Sequence, residues 1–476
     1  MKIFFRKYWL LILIFLLASV LRLWDICGRA IFFDDAAFDM FSGMEALRDG
    51  RIPLLGIASS LPRFHQGPVT VWLNMILGGV FGFNLLAFSL FFVGLSLLAL
   101  LLVYFFCLRF LNKKVALVAI FLIALSPLAI AQARMPYHTN PIPLATILYL
   151  ISLVRLWQKK RASLFWAVLS WAFLFQFELA VFPILILIPY VLFRTRNLRN
   201  LKRKLVLVVG GLSLGLAPQI IFDLKNNFSQ LGLFVVWVGY RLGGSFIGEH
   251  QMNGGKLSSV VAAFAKYGGR IWSVDLVLIQ VIFLSLVGVA FYKLLLQWRQ
   301  KTIEPGLEVV GVLTMVLSLG YVVHGGPSEA YFPPFIILLP ILVSFALNSI
   351  FRNYRFVLIG LLLIWGASNI WGIFQSNFFV SNNQKFSYHY GVAEQREIVD
   401  FIDEQSGGDF VFKTTGENKR FESTFDNLRW LAKEKNIEEN KDSENVFYVE
   451  QKDSILQDDA EFEVKRFVSA DIYYEQ

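Results

Sequence analysis

The sequence predicts an all-α polytopic membrane protein that ends in a small soluble α/β unit, and three observations carry that prediction. Hydrophobic residues make up 56% of the 476-residue chain and charged residues 17%, with a mean hydropathy of +0.57. Soluble globular chains lie near half apolar and a quarter charged. Second, apolar runs long enough to cross a bilayer recur along residues 1–374. Third, the charge is divided. Of the 44 Lys+Arg and 35 Asp+Glu, 12 and 22 fall from residue 375 onward, leaving 32 basic and 13 acidic residues before it. The net +9 is therefore an average over a basic membrane body and an acidic tail. Cytoplasmic loop charge accounts for the basic excess, so no nucleic-acid partner is implied. Cys27 in a loop and Cys107 inside an apolar run suggest no disulfide framework.

A helix needs about 20 apolar residues to cross the hydrocarbon core. Runs of that kind lie near 8–24, 85–111, 115–133, 141–157, 163–180, 181–193, 205–222, 274–292, 307–323, 332–350 and 356–374, about eleven spans. The run at 181–193 is short and needs tilt or extension by its neighbours. The stretch at 68–82 is also short and reads as a re-entrant or interfacial helix on the outer face. Residues 1–7 lead into one long apolar run without a small-residue cleavage site, which reads as an uncleaved signal anchor.

Basic residues in short loops set the orientation. Six alternate loops are basic, from Lys2, Arg6 and Lys7 through Arg194–Lys204 to Arg352 and Arg355, and nearly free of acids apart from Glu304 and Glu308. That side is expected to be cytoplasmic, and an odd number of spans puts the tail outside. The first external loop, 25–67, then carries Asp25, Asp34, Asp35, Asp39, Glu45 and Asp49. Later outer edges hold Arg134, His138 and Asn140; Glu178; a longer segment with Asp223, Lys225, Arg241 and His250; and a turn with His324, Glu329 and Tyr331. All five histidines fall on this side, His389 in the tail. The body is thus 1–374 and the extracytoplasmic unit 375–476. In the latter, 392–404 and 421–435 read as helices and 409–413, 444–449 and 463–468 as strands. With no phosphate loop and no cysteine cluster, it reads as a capping or accessory unit.

Several residues in the outer inventory can carry chemistry. Asp34, Asp35 and Asp39 follow the apolar lead-in Ile31-Phe32-Phe33, which places carboxylates near the membrane surface. Adjacent acids there oppose double ionisation, and one becomes a proton acceptor near neutrality; acids in the first turn of a helix over 36–48 fit the same residues. His65 sits just before Pro68, a suitable first helical residue, and reads equally as a site histidine or an interfacial one. Arg134, His138 and Asn140 lie between two spans at membrane depth, where a cation is costly unless it faces a cavity or partner; an anionic ligand gripped by guanidinium is one such partner. Asp223 and Lys225 close another span, and Glu178 is an acid with apolar neighbours. Walker A, GxSxG, HExxH and CxxC patterns are absent, and no metal-ligand spacing stands out.

The order of these motifs resembles the GT-C glycosyltransferases of the protein O-mannosyltransferase and aminoarabinose transferase type (family 39), in a bacterial-type membrane form, over about residues 8–350. The resemblance rests on Asp34-Asp35-Ala36-Ala37-Phe38-Asp39, Gly50-Arg51-Ile52-Pro53-Leu54-Leu55-Gly56 and Phe64-His65-Gln66-Gly67-Pro68. Ser126-Pro127, Arg134-Met135-Pro136-Tyr137-His138-Thr139-Asn140-Pro141 and Phe222-Asp223-Leu224-Lys225 complete it. It implies a GT-C-like fold and transfer of a sugar from a polyprenyl-phosphate donor to a lipid, glycan or protein acceptor outside the cytoplasm, usually with inversion. An Asp of the first loop is then the general base and cationic groups face the departing lipid phosphate. Asp34 matches by its adjacent acid, Asp35 by counting back from Gly50-Arg51. Asp39, His65, Arg134, His138, Asn140, Glu178, Asp223 and Lys225 are the expected substrate-binding residues. No cofactor is called for, and a divalent metal stays compatible with the acids. The family more often has Asp-Glu in the first motif; related members carry Glu at the place of His65 and Trp-Asn-Pro at that of Tyr137-His138-Thr139. The rival class is a transporter or flippase of a lipid-linked or cell-envelope intermediate. Such proteins show internal repeats and midplane polar groups, whereas here the halves show no repeat and the polar residues gather at one face.

Overall fold

The computed structural model describes residues 2–59, 63–197, 199–247, 256–274, 276–325, 327–375, 392–413, 425–451, 463–467 and 470–474. His250, His389 and the side chain of Arg241, noted in the sequence, lie outside them. Each apolar run folds as helix. The first segment gives α1 (Lys2–Leu23), α2 (Ile26–Arg29), α3 (Asp34–Arg48), α4 (Val69–Phe81) and α5 (Leu85–Phe110). Then come α6 (Lys113–Ala124), α7 (Pro127–Ala133), α8 (Ile142–Trp157), α9 (Ser163–Phe177), a 3-10 stretch at Leu179–Ile186 and α10 (Leu187–Arg194). α11 (Leu201–Gly215), α12 (Ala217–Lys225), α13 (Ser229–Ile247) and α14 (Lys256–Ala263) lead to α15 (Val277–Arg299), α16 (Pro305–His324), α17 (Phe335–Ile350) and α18 (Arg355–Gln375).

Two of the runs read as single spans are bent. Between α6 and α7 the axis turns by 65°, where Ser126 Oγ accepts from Ala129 N and Pro127 opens the new helix. Between α11 and α12 it turns by 80°, with Pro218 in the first turn of α12. Among the described residues four helices, α5, α15, α16 and α18, are long and apolar enough to cross a membrane, or six if each bent pair is one span. Shorter apolar helices such as α8, α9 and α17 have 15 or 16 residues, a rise of about 24 Å against a core near 30 Å. The stretch at 68–82 becomes α4, which forms a hairpin with α3: a Cβ on Gly43 would stand 2.6 Å from Asn74 Cβ, so glycine permits that approach.

The core runs through α6, α8, α9, α16 and α17, while Leu205, Leu278, Phe356 and Ile364 point outward from the bundle as lipid-facing side chains do. Charges inside it are matched. Arg22 gives its guanidinium to the Ala18, Ile123 and Ala124 carbonyls, closing the C-terminal end of α6, and Glu308 accepts from Tyr190 Oη at 2.6 Å and Arg194 Nε at 2.8 Å.

Beyond α18 the described residues form α19 (Val392–Ser406), β1 (Val411–Lys413), α20 (Asp426–Glu434), β2 (Val446–Gln451), β3 (Glu463–Arg466) and β4 (Ala470–Tyr474). The sheet order is β1-β2-β4-β3, with β1 parallel to β2 and the other pairs antiparallel. The fourth strand has no counterpart among the segments expected from sequence. Nor does this unit stand apart from the candidate residues: α20 packs on α3 and α19 on α2, so the acidic loop and the C-terminal elements share one hydrophobic cluster.

Candidate active site

A cavity of about 270 Å³ opens between α3, the loop that follows it, the α7–α8 segment and the chain after α9 and α16. α3 supplies its acidic wall. Phe33 caps the helix in an extended conformation, and Ala36, Ala37 and Met40 turn into the core. Four-residue spacing then puts Asp35 and Asp39 on the adjoining face, toward the cavity. Asp35 is exposed at the rim, whereas Asp39 is 1% exposed. The side chain of Asp34, which opens α3, lies outside the described part of the structure.

The opposite wall comes from the segment joining α7 to α8. Asn140 Nδ2 donates to the carbonyls of Gln132 (2.6 Å) and Met135 (3.0 Å), and Gln132 Nε2 donates to Thr139 Oγ1 at 2.9 Å. These bonds fold the segment back and aim Tyr137 and His138 at α3. His138 Nδ1 stands 2.8 Å from Asp39 Oδ2, which also accepts the His138 backbone N–H at 3.2 Å. Asp39 Oδ1 is buried without a hydrogen-bond partner among the described residues. Glu178, at the C-terminal end of α9, lines the cavity and accepts the Ala180 N–H at 3.1 Å. Trp237, His324 and Tyr331 close it from α13, α16 and the turn after α16, with Tyr331 Oη 3.4 Å from His324 Nε2. The floor is Gln66, on a loop folded by Gly56 N to Gln66 O and Gln66 N to Ile57 O, each 2.9 Å.

Comparison with known proteins bears on this arrangement. Residues 65–222 match the model of the dolichyl-phosphate-mannose-protein mannosyltransferase family. The structure is similar to ArnT from Cupriavidus metallidurans in its apo state (TM-score 0.61, 13% identity, covering 100% of this chain and 98% of that one). It is likewise similar to ArnT from Cupriavidus metallidurans bound to undecaprenyl phosphate (TM-score 0.58, 14% identity, 99% and 98%). An Archaeoglobus fulgidus oligosaccharyltransferase tethered with an acceptor peptide gives a TM-score of 0.51 at 13% identity, covering 94% of this chain and 69% of that one. No curated protein matches the sequence. The chain has the GT-C glycosyltransferase fold. It is a multi-pass membrane protein.

Within this GT-C fold the candidate residues separate into two groups. Asp35, Asp39, His138 and Glu178 come together at the cavity. Arg134 does not: it is fully buried, and its guanidinium donates to the carbonyls of Leu21, Arg22, Trp24, Asp25 and Arg29 at the C-terminal end of α1 and in α2. It thus supplies donors to carbonyls at the α1–α2 junction, of which Asp25 O also accepts the Arg29 N–H at 2.9 Å. Asn140 acts through the fold of its own segment. His65 does not line the cavity; its backbone N–H donates to Gln230 Oε1 at 2.9 Å. Asp223 caps α13, accepting from Gln230 N at 2.8 Å and Leu231 N at 3.0 Å, and the neighbouring Lys225 is exposed.

No Lys or Arg lines the cavity among the described residues, so its cationic capacity rests on His138 and His324. Burial opposes protonation of His138, but the Asp39 charge and hydrogen bond together with the charges of Glu178 and Asp35 outweigh it; the imidazole is held above its ordinary value. Burial raises the Glu178 carboxyl, against the His138 charge and the backbone N–H groups of Ala180 and Leu179. Among the described residues no cluster of His, Cys, Asp and Glu has metal-binding geometry. Sequence reading did not assign Trp237, His324 and Tyr331 to the site. For His324 and Tyr331 the signal was position alone, at and just after the end of α16, while Trp237 lies midway along α13 and carried none.

Proposed function

We propose that this chain is a membrane glycosyltransferase that moves a sugar from a polyprenyl-phosphate donor to an acceptor on the extracytoplasmic face, with Asp35 as general base. The observation that carries the reading is the cavity itself. One rim carboxylate, one buried carboxylate–imidazole pair and a second buried acid converge at a single end of an apolar GT-C bundle.

In this reading the acceptor hydroxyl gives its proton to Asp35 as its oxygen attacks the anomeric carbon. The bond from that carbon to the phosphate oxygen breaks, and the lipid phosphate leaves with the electron pair. His138, kept protonated by Asp39, offers the positive charge that meets the phosphate, a task for which the sequence had nominated Arg134 and Lys225. Trp237, Tyr137 and Tyr331 line the cavity and supply aromatic surface suited to a sugar. The basic loops are then cytoplasmic, and residues 375–476 belong to the extracytoplasmic side.

Sugar transfer from radiolabelled polyprenyl-phosphate donors in proteoliposomes tests the proposal. Asp35→Asn should lower kcat by about 10²–10⁴-fold, the range of a lost general base. Parental turnover in Asp35→Asn would remove Asp35 from the chemistry. A parent that moves labelled lipid across the bilayer without breaking the sugar–phosphate bond would favour the transporter class.

A further inference from the structure

We infer that the C-terminal unit positions the catalytic helix: Gln395 and Trp430 clamp the backbone that leads into α3 and so set where Asp35 stands at the cavity. The inference rests on the transferase reading above for its catalytic consequence, though not for the clamp itself.

The clamp has a polar and an apolar part. Gln395, in α19, is 0% exposed, and its Nε2 donates to the carbonyl of Phe32 at 2.8 Å, two residues before α3 begins. Asn427, in α20, donates through Nδ2 to Gln395 Oε1 at 3.1 Å and fixes which way that amide faces. A buried carbonyl needs a donor, and here it comes from 363 residues away in sequence. Trp430 fills the apolar part. It is 0% exposed, with ring centroids 4.7 Å from Phe83, 5.1 Å from Phe41, 5.5 Å from Phe88 and 6.5 Å from Phe32. Phe41 belongs to α3 and Phe32 to its lead-in, so the indole is wedged against the helix that bears the acids. A third link lies beside these: Arg396 donates to the Cys27 carbonyl at 2.9 Å and pairs with Glu434 at 3.0 Å.

The path from clamp to cavity is short. Phe33, next to Phe32, packs edge-on against Tyr137 with centroids 5.0 Å apart. Tyr137 adjoins His138, which holds Asp39 on the same helix as Asp35. A rotation of the start of α3 therefore moves the general base relative to the imidazolium that faces the leaving group. Catalysis is sensitive to such shifts, since a misplacement of about 1 Å costs on the order of 100-fold.

The test uses full-length protein in nanodiscs and two variants. Gln395→Met keeps the length of the side chain and removes the donor to Phe32. It should lower kcat about tenfold, a partial misplacement, with KM for the polyprenyl-phosphate donor changed by less than about twofold. Trp430→Ala should do the same, and Trp430→Phe should stay near the parent, because the indole Nε1 makes no hydrogen bond among the described residues. Hydrogen exchange supplies a readout independent of turnover: amides of α3 should exchange faster in Gln395→Met and Trp430→Ala, while those of α8 and α17 hold. Parental exchange in α3 overturns the clamp, as does faster exchange with parental kcat. Should Trp430→Ala fail to fold, Gln395→Met decides. A parent without transferase activity but with the exchange response would sink the proposed function and leave the clamp standing.

Discussion

Arg134→Lys separates two roles that the sequence left open for this cation. If Arg134 grips a phosphate, Lys keeps the charge and the loss appears as a weaker donor KM. If it fastens α1, the loss appears in stability. The structure gives the size of the second effect. The guanidinium serves five carbonyls, those of Leu21, Arg22, Trp24, Asp25 and Arg29, at 2.8–3.4 Å. An ammonium has three donors on one atom and no fork, and the Asp25 carbonyl keeps the Arg29 N–H, so at least one of the other four carbonyls loses its partner. At about 1–3 kcal/mol for each buried group left unsatisfied, the variant should be about 1–3 kcal/mol less stable, the partly buried Trp24 and Arg29 carbonyls counting for less than those of Leu21 and Arg22. A domain of 150–250 residues loses about 2–4 °C of Tm per kcal/mol, so a fall of several degrees is expected. The assay is thermal unfolding in detergent, paired with donor KM on the folded fraction. A parental midpoint with a raised KM would refute the fastening role and restore the phosphate contact.

Two further outcomes follow from the same geometry. The raised His138 makes its pairing with Asp39 fully present below the ordinary imidazole range and lost as pH rises through the raised value. Asp39→Asn removes the largest of the contributions that together outweigh burial, so the alkaline limb of the kcat/KM–pH profile should move to lower pH; an unmoved limb would exclude the imidazolium from turnover. Gly67→Ala would place a Cβ 1.4 Å from Gln176 Oε1 and 3.0 Å from Gln176 Cα. Gln176 is held by bonds to Gly215 O at 2.7 Å and Gln219 Oε1 at 2.8 Å, so overpacking should lower stability by about 1–3 kcal/mol, read as a reduced unfolding midpoint. A parental midpoint would show that this loop yields freely.

What the sequence by itself determined is local. Helices are legible because a bilayer-crossing helix needs an unbroken apolar run, and that property belongs to consecutive residues: α5, α15, α16 and α18 each fill the run expected for them. Both bends carry punctuation in the sequence, Ser126-Pro127 at one and Pro218 at the other, yet apolar length alone reads each run as a single span. That they turn the chain by 65° and 80° depends on the neighbours that accept the freed ends.

Only the tertiary structure decided how the site is shared out. Asp39 and His138 are 99 residues apart in the chain and 2.8 Å apart in space, and no periodicity encodes a pair of that kind. The same holds for Arg134, whose charge suggested an anion while its donors had backbone carbonyls within reach. Asp223 likewise is spent on the first turn of α13. The composition of the acidic tail marked it as soluble and unlike the body, and so suggested a separate unit. Yet Gln395 and Trp430 lie against the lead-in to α3. Composition records the solvent a segment prefers; which buried carbonyl lacks a donor, and which distant side chain can supply it, is settled only when the chain is packed.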